Sequence, residues 1–145
     1  KTPLPKAFQT TAQYALNSHL RRAFASEELD ICRIRTLLDE AANGGFELDA
    51  TTLEFTMRHT LEQLAFRVQQ DPASVSYLHA FTQAVELATD LPFNVNMWTV
   101  QNIGYELMRE IYPAMLDSAL HGDQEAVVWT RDFRDLAARL LLKVD

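Results

Sequence analysis

The sequence has few of the residues that build disulfide frameworks or glycine-rich phosphate loops. It contains one cysteine, four glycines and five prolines among 145 residues. The single cysteine, Cys32, excludes an internal disulfide and any metal site made of several thiolates. Because Ile31 and Ile34 flank it, Cys32 is expected to pack as a small apolar side chain. The sequence has no Gly-x-Gly-x-x-Gly, phosphate-loop or Gly-x-Ser-x-Gly motif, so the commonest signals of nucleotide-binding and hydrolytic enzymes are missing.

Positive charge is also scarce, since 13 lysines and arginines face 20 acidic residues and leave a net charge of -7. Such a surface repels phosphate backbones and anionic lipids, so neither nucleic acid nor a membrane is expected as a partner. No apolar run approaches the roughly 20 residues of a membrane-spanning helix. The start, Lys1-Thr2-Pro3-Leu4-Pro5, does not resemble a secretion signal, and a cytoplasmic location is expected. Because there is no initiator methionine, we expect a fragment of a longer chain, with these prolines in a linker from an upstream domain.

Catalytic and metal-binding patterns are missing as well. The four histidines are spread along the chain without Glu-x-x-His or His-Glu-x-x-His spacing, so no di-iron or zinc site is predicted. Glu106 and Glu110 share one helix face, whereas the carboxylates of a glycosidase face each other across the substrate. A solvated surface is the favoured interpretation of this pair. We therefore predict no catalytic residue, no metal site and no cofactor.

Apolar residues at helical spacing are abundant, and hydrophobic residues make up 48% of the chain. Their pattern predicts an all-α bundle of about six helices in a single domain, 1–145, without strands. Helices are predicted to begin at four capping residues: Ser26, Asp49, Asp71, which is followed by Pro72, and Asp123. Helix ends are predicted at Asn43-Gly44-Gly45, Pro92 and Gly122.

The bundle is predicted to pack around a central helix over about residues 96–112, kinked or broken at Pro113. Apolar residues between Met97 and Met115 cover about half of its circumference, so neighbours are expected on more than one side. Gly104 is expected where another backbone comes close. Gln101 lies inside the apolar arc and must find hydrogen-bond partners there. The opposite, solvated arc is predicted to contain Thr99, Asn102, Glu106, Arg109 and Glu110.

One cluster on this helix has the composition of a binding surface: Trp98, Gln101, Asn102 and Tyr105, with Tyr112 nearby. Aromatic rings can stack on the apolar faces of sugars while amides bond to the hydroxyl groups. In the alternative interpretation, Trp98 and the tyrosines belong to the core and Gln101 joins a buried network. The sequence leaves both interpretations open.

The same stretch carries a family resemblance. The segments Leu91-Pro92-Phe93, Val95-Asn96-Met97-Trp98 and Gln101-Asn102, followed by Tyr105, resemble the helical C-terminal region of bacterial glycoside hydrolase family 57-like proteins. The likeness extends to Ala15-Leu16-Asn17 and to Gly122-Asp123 before Trp129. In that family this region is a domain of unknown function, and an upstream α/β barrel carries a glutamate nucleophile and an aspartate acid that act with retention on α-glucans. No part of that barrel is in this sequence, so the resemblance assigns no catalytic residue.

The resemblance implies a non-catalytic accessory domain that supports or shapes the cleft of the upstream catalytic domain, with α-glucan as a ligand. The alternative is a free-standing acidic helical module that binds another protein. A large exposed apolar patch would suit a protein partner or a missing barrel, whereas isolated exposed aromatic residues would suit sugar. An enzyme in its own right would require a pocket where Glu106, Glu110 or a histidine meets another titratable group.

Overall fold

The computed structural model describes residues 6–142, and these residues form seven α-helices and no strand. The helices are α1 (Lys6–Ala25), α2 (Ile31–Gly44), α3 (Ala50–Gln70), α4 (Val75–Thr89), α5 (Trp98–Glu110), α6 (Tyr112–Leu120) and α7 (Gln124–Arg139). The predicted all-α class is confirmed. None of these helices combines the length and apolarity needed to cross a membrane.

Several predicted helix limits are confirmed. Gly45 ends α2 in the left-handed conformation with φ of 68°, which glycine adopts without steric cost. The Asp49 carboxylate accepts a hydrogen bond from the Thr52 amide at 3.3 Å at the start of α3. Asp123 caps α7 by accepting from the amides of Glu125 and Ala126.

Two predicted helix starts are wrong. The N-cap of α2 is Asp30 and not Ser26, whose hydroxyl instead donates to the Glu28 carbonyl in a local turn. The N-cap of α4 is Ser74, and Asp71 lies in a turn in which its carbonyl accepts from the Ser74 amide. In both stretches two capping residues lie three or four positions apart, and the later one begins the helix.

The chain divides into two compact units between Thr60 and Leu61, within α3. In the first unit α1 packs against α2, and Leu20, Phe24 and Ile34 are completely buried. The Thr60 hydroxyl donates to the Phe24 carbonyl at 2.6 Å and ties α3 to the end of α1. The expectation for Cys32 is wrong, because its thiol is exposed. The buried side of α2 is formed by Ile34, Leu37 and Ala41, and Cys32 lies about half a turn away from it.

In the second unit α7 packs against both α4 and α6. Trp129 and Phe133 of α7 are fully buried, and their rings stack with centroids 5.2 Å apart. The predicted break near Pro113 is confirmed: α5 ends at Glu110, and Pro113 lies in the first turn of α6, where its missing amide costs no helical hydrogen bond. The segment predicted as one helix is thus divided into α5 and α6, which gives seven helices.

Candidate binding surface on α5

The buried face of α5 overlaps the predicted apolar arc but is shifted toward Ile103. Its buried residues are Val100, Ile103, Gly104 and Leu107. Met97 and Met108, which were expected at the centre of the apolar arc, are only half-buried. The helix is therefore rotated away from the predicted orientation, with Ile103 in the core.

Trp98 and Tyr105 are exposed, with 69% and 49% of their surface accessible. The interpretation that places both in the core is therefore wrong, whereas Tyr112 is buried as that interpretation expected. Four residues of α5 share one side of the helix, opposite the buried face. At about 100° per residue they lie within about 60° of one another: Trp98, Asn102, Tyr105 and Arg109. All four are exposed, and we refer to them as the α5 ridge.

Two contacts organise the α5 ridge. The guanidinium carbon of Arg109 lies over the Tyr105 ring, 5.5 Å from its centroid, in a cation–π arrangement that covers one face of the ring. At the other end, the Asn96 side-chain oxygen accepts a hydrogen bond from the Trp98 amide at 2.9 Å. This contact fixes the first turn of α5 and thereby the position of Trp98. Asn96 precedes the N-cap residue Met97, which makes no side-chain capping bond, and this role of Asn96 was not predicted from the sequence.

Gln101 does not belong to the α5 ridge. Its side chain is half-buried, and Nε2 donates to the carbonyl oxygen of Leu140 at 3.3 Å. Leu140 ends α7, and its carbonyl cannot accept a bond from a following helical turn. The predicted need of Gln101 for a partner is confirmed, and this amide holds α5 against the end of α7. The structure thus brings together three of the four candidate contact residues, Trp98, Asn102 and Tyr105.

Gly104 faces the same end of α7. A Cβ atom at this position would lie 2.9 Å from Cδ1 of Leu140 and 3.1 Å from Cδ1 of Leu142. The expected close approach at Gly104 exists, but it is made by the ends of two leucine side chains and not by another backbone. This contact keeps the buried side of α5 turned toward Leu140 and the α5 ridge turned outward.

Acidic side chains lie beside His79 and His121 at the surface: Nδ1 of His79 is 3.2 Å from a carboxylate oxygen of Asp132, and Nδ1 of His121 is 3.6 Å from one of Asp117. Glu106 and Glu110 are exposed as predicted, and Glu106 accepts a weak hydrogen bond from Gln69 at 3.4 Å. All four histidines are exposed. Within residues 6–142 no three His, Cys, Asp or Glu side chains lie close enough together to hold a metal ion. The exposed side chains of α5 are suited to contact with a ligand or a partner.

No protein-family model matches the chain, and comparison with curated proteins and with solved structures gives no match either. The resemblance to family 57-like proteins therefore stays a prediction.

Proposed function

We propose that this chain is a non-catalytic accessory domain of a cytoplasmic family 57-like glycoside hydrolase, and that its α5 ridge contacts α-glucan beside the catalytic cleft. The observation that carries the proposal is the exposure of Trp98, Asn102 and Tyr105 on one face of α5. Leaving a tryptophan and a tyrosine in water forgoes the stabilisation that burial of these large rings provides, so a binding role is a reasonable explanation of their position.

The chemistry of the α5 ridge fits a saccharide. Trp98 and Tyr105 offer rings that can cover the apolar faces of sugar units, and the Asn102 amide between them can both donate to and accept from hydroxyl groups. Tyr105 lies seven positions after Trp98 in α5, which corresponds to about 10 Å along the helix axis. A ligand that contacts both must therefore be an oligosaccharide and not a single sugar.

A protein partner is the second candidate, and the composition of the same surface favours it. Tryptophan, tyrosine and arginine are the residue types most enriched at the energetic centres of protein interfaces, and the α5 ridge contains one of each. For the resemblance-based function the partner would be the upstream catalytic domain. For the alternative function it would be a separate protein that tolerates an acidic surface.

The experiment is a fluorescence titration of this chain with maltoheptaose. Trp129 is completely buried and Trp98 is exposed, so a ligand on the α5 ridge should change the emission of Trp98 alone. We expect a saturable change that is absent in Trp98→Phe and about tenfold weaker in affinity in Asn102→Ala, the loss expected for one good polar contact. Tyr77→Ala, which removes an exposed aromatic residue from α4, is the matched control and should bind normally.

A flat titration would rule out direct glucan binding by the α5 ridge. Trp98→Ala would then be placed in the longer protein that the resemblance implies. Loss of glucan hydrolysis there, with an unchanged unfolding temperature, would support contact with the catalytic domain. Unchanged activity and stability would falsify the accessory role of this surface.

A further inference from the structure

A small cleft lies in the first unit, between α1 and the start of α3. It has a volume of about 130 Å³, well above the roughly 10–15 Å³ that a cavity needs to hold one water molecule. One small ring can therefore enter it. The lining residues are Tyr14, Asn17, Ser18, Arg21, Asp49, Thr52 and Leu53, and we refer to this site as the Tyr14 cleft.

Two side-chain amides of α1 make one wall of the Tyr14 cleft rigid. Gln13 accepts a hydrogen bond from the Glu47 amide at 2.8 Å. Asn17 donates to the Glu47 carbonyl at 2.9 Å and accepts from the Asp49 amide at 2.7 Å. Together they bind the backbone before α3 much as a neighbouring β-strand would. As a result, Asp49 is held at a fixed position relative to α1, where Tyr14 and Arg21 are located.

Several polar groups around this cleft have unused hydrogen-bonding capacity. Within residues 6–142 the Tyr14 hydroxyl, the Arg21 guanidinium and the Thr52 hydroxyl make no hydrogen bond or ion pair. One carboxylate oxygen of Asp49 caps α3 through the Thr52 amide, and the other accepts no bond from the described part of the chain. The Tyr14 ring is 77% exposed beside them. One small cleft is thus bordered by a strong donor, Arg21, a strong acceptor, Asp49, the hydroxyl of Thr52 and the aromatic face of Tyr14.

We propose that the Tyr14 cleft binds a short neutral oligosaccharide. One sugar ring would stack on Tyr14, and a pair of adjacent hydroxyls on the neighbouring sugar unit would accept from Arg21 and donate to Asp49. A diol suits this pair because each hydroxyl can serve as donor or acceptor. The charges of Arg21 and Asp49 offset each other, so the site does not favour an anionic or a cationic ligand. The inference rests on the proposed function only for the choice of an α-glucan as the probe.

The experiment is a titration of the ¹⁵N-labelled chain with maltotriose, followed by two-dimensional NMR. Backbone amides of Ser18, Arg21 and Thr52 report on the Tyr14 cleft, and the indole N–H of Trp98 reports separately on the α5 ridge. We expect saturable shifts of the three amides. If the chemical shift of the Trp98 indole is unchanged while the shifts of these three amides change, the α5 ridge proposal fails and the cleft proposal is supported. The reverse pattern would overturn the cleft proposal.

Matched variants test the assigned contacts. Arg21→Gln and Tyr14→Ala should each weaken maltotriose binding about tenfold, since each removes a direct contact. Arg33→Gln changes an exposed arginine of α2, and Phe8→Ala changes an exposed aromatic residue of α1. Neither residue lines the cleft, so both variants should bind like the unaltered chain. Equal binding by Arg21→Gln and Arg33→Gln would overturn the assignment. Asp49→Asn keeps a capping side chain at α3, so weakened binding in this variant is not explained by loss of the cap.

Discussion

The indole nitrogen of Trp129 donates a hydrogen bond to the carbonyl oxygen of Pro72 at 2.7 Å. Trp129 lies on α7, and Pro72 lies in the turn before α4. Because α4 and α7 pack against each other, this bond fixes the start of one helix against the other. The Asp71-Pro72 pair, predicted to begin α4, therefore has a different role, since its turn provides an acceptor for a buried indole.

Replacement of Trp129 by phenylalanine should destabilise the protein by about 2–3 kcal/mol. The variant leaves a cavity in a fully buried site and removes the donor to the Pro72 carbonyl. Urea unfolding followed by circular dichroism measures the change. Trp98→Phe is the control and should alter the free energy of unfolding by less than about 0.5 kcal/mol, because Trp98 is exposed. Equal losses in the two variants would contradict the assigned burial.

Thr60→Val should destabilise the protein by about 1–2 kcal/mol, although the two side chains have nearly the same shape. The buried Thr60 hydroxyl donates to the Phe24 carbonyl in the last turn of α1, so the substitution removes a bond between two helices. Thr82→Val is the matched control. The buried hydroxyl of Thr82 bonds to the Leu78 carbonyl, which already accepts a bond within α4. Thermal unfolding should separate the variants, and a larger loss for Thr82→Val would refute this account.

The helical periodicity of the sequence is sufficient to predict the fold class and most of the helices. Asp123 is correctly predicted as a cap, and it stands alone before a clear apolar pattern. Asp49 is also correctly predicted, although Thr51 and Thr52 follow it within one turn. Ser26 and Asp71 are wrong because another capping residue follows within one turn, and local preference does not decide between two such neighbours. That choice depends on tertiary contacts such as the bond from Trp129 to Pro72.

The candidate surface is less predictable than the fold. Trp98 and Tyr105 count as apolar in the helical periodicity, which therefore places them beside the core. The orientation of α5 is set by its neighbours: Leu140 and Leu142 contact Gly104, and the Leu140 carbonyl binds Gln101. These contacts come from residues about 40 positions later in the chain. The sequence identifies the residue types of a binding surface, but the face to which each belongs depends on these distant contacts.

Asn17→Ala should destabilise the protein by about 2–3 kcal/mol, a large effect for a residue that is only half-buried. The side chain donates to the carbonyls of Gln13 and Glu47 and accepts from the Asp49 amide, and all three bonds are lost together. Hydrogen exchange of the Asp49 amide provides a local measurement, and its protection should fall. Gln9→Ala, an exposed change on the same helix, should leave both quantities unchanged. Retained protection in Asn17→Ala would show that the loop is held by other contacts.

Leu141→Gly should stabilise the protein by about 0.5–1 kcal/mol. Leu141 follows α7 with φ of 63°, a left-handed conformation that costs residues other than glycine about 1–2 kcal/mol. The side chain is 85% exposed, so little packing is lost with it. Leu141→Ala keeps the Cβ atom and the strain, and its stability should stay close to that of the unaltered chain. Thermal unfolding measures both variants, and equal effects would exclude backbone strain as the cause.

Ile103→Ala and Tyr105→Ala together test the orientation of α5. Ile103 is buried, so its truncation should cost about 2–4 kcal/mol through lost burial and a cavity. Tyr105 is half-exposed and contacts Arg109 at the surface, so its truncation should cost less than about 1 kcal/mol. Urea unfolding of both variants gives the comparison. The orientation predicted from periodicity alone requires the opposite order, because it places Tyr105 beside the core. A larger loss for Tyr105→Ala would therefore restore that orientation and remove the basis of the α5 ridge.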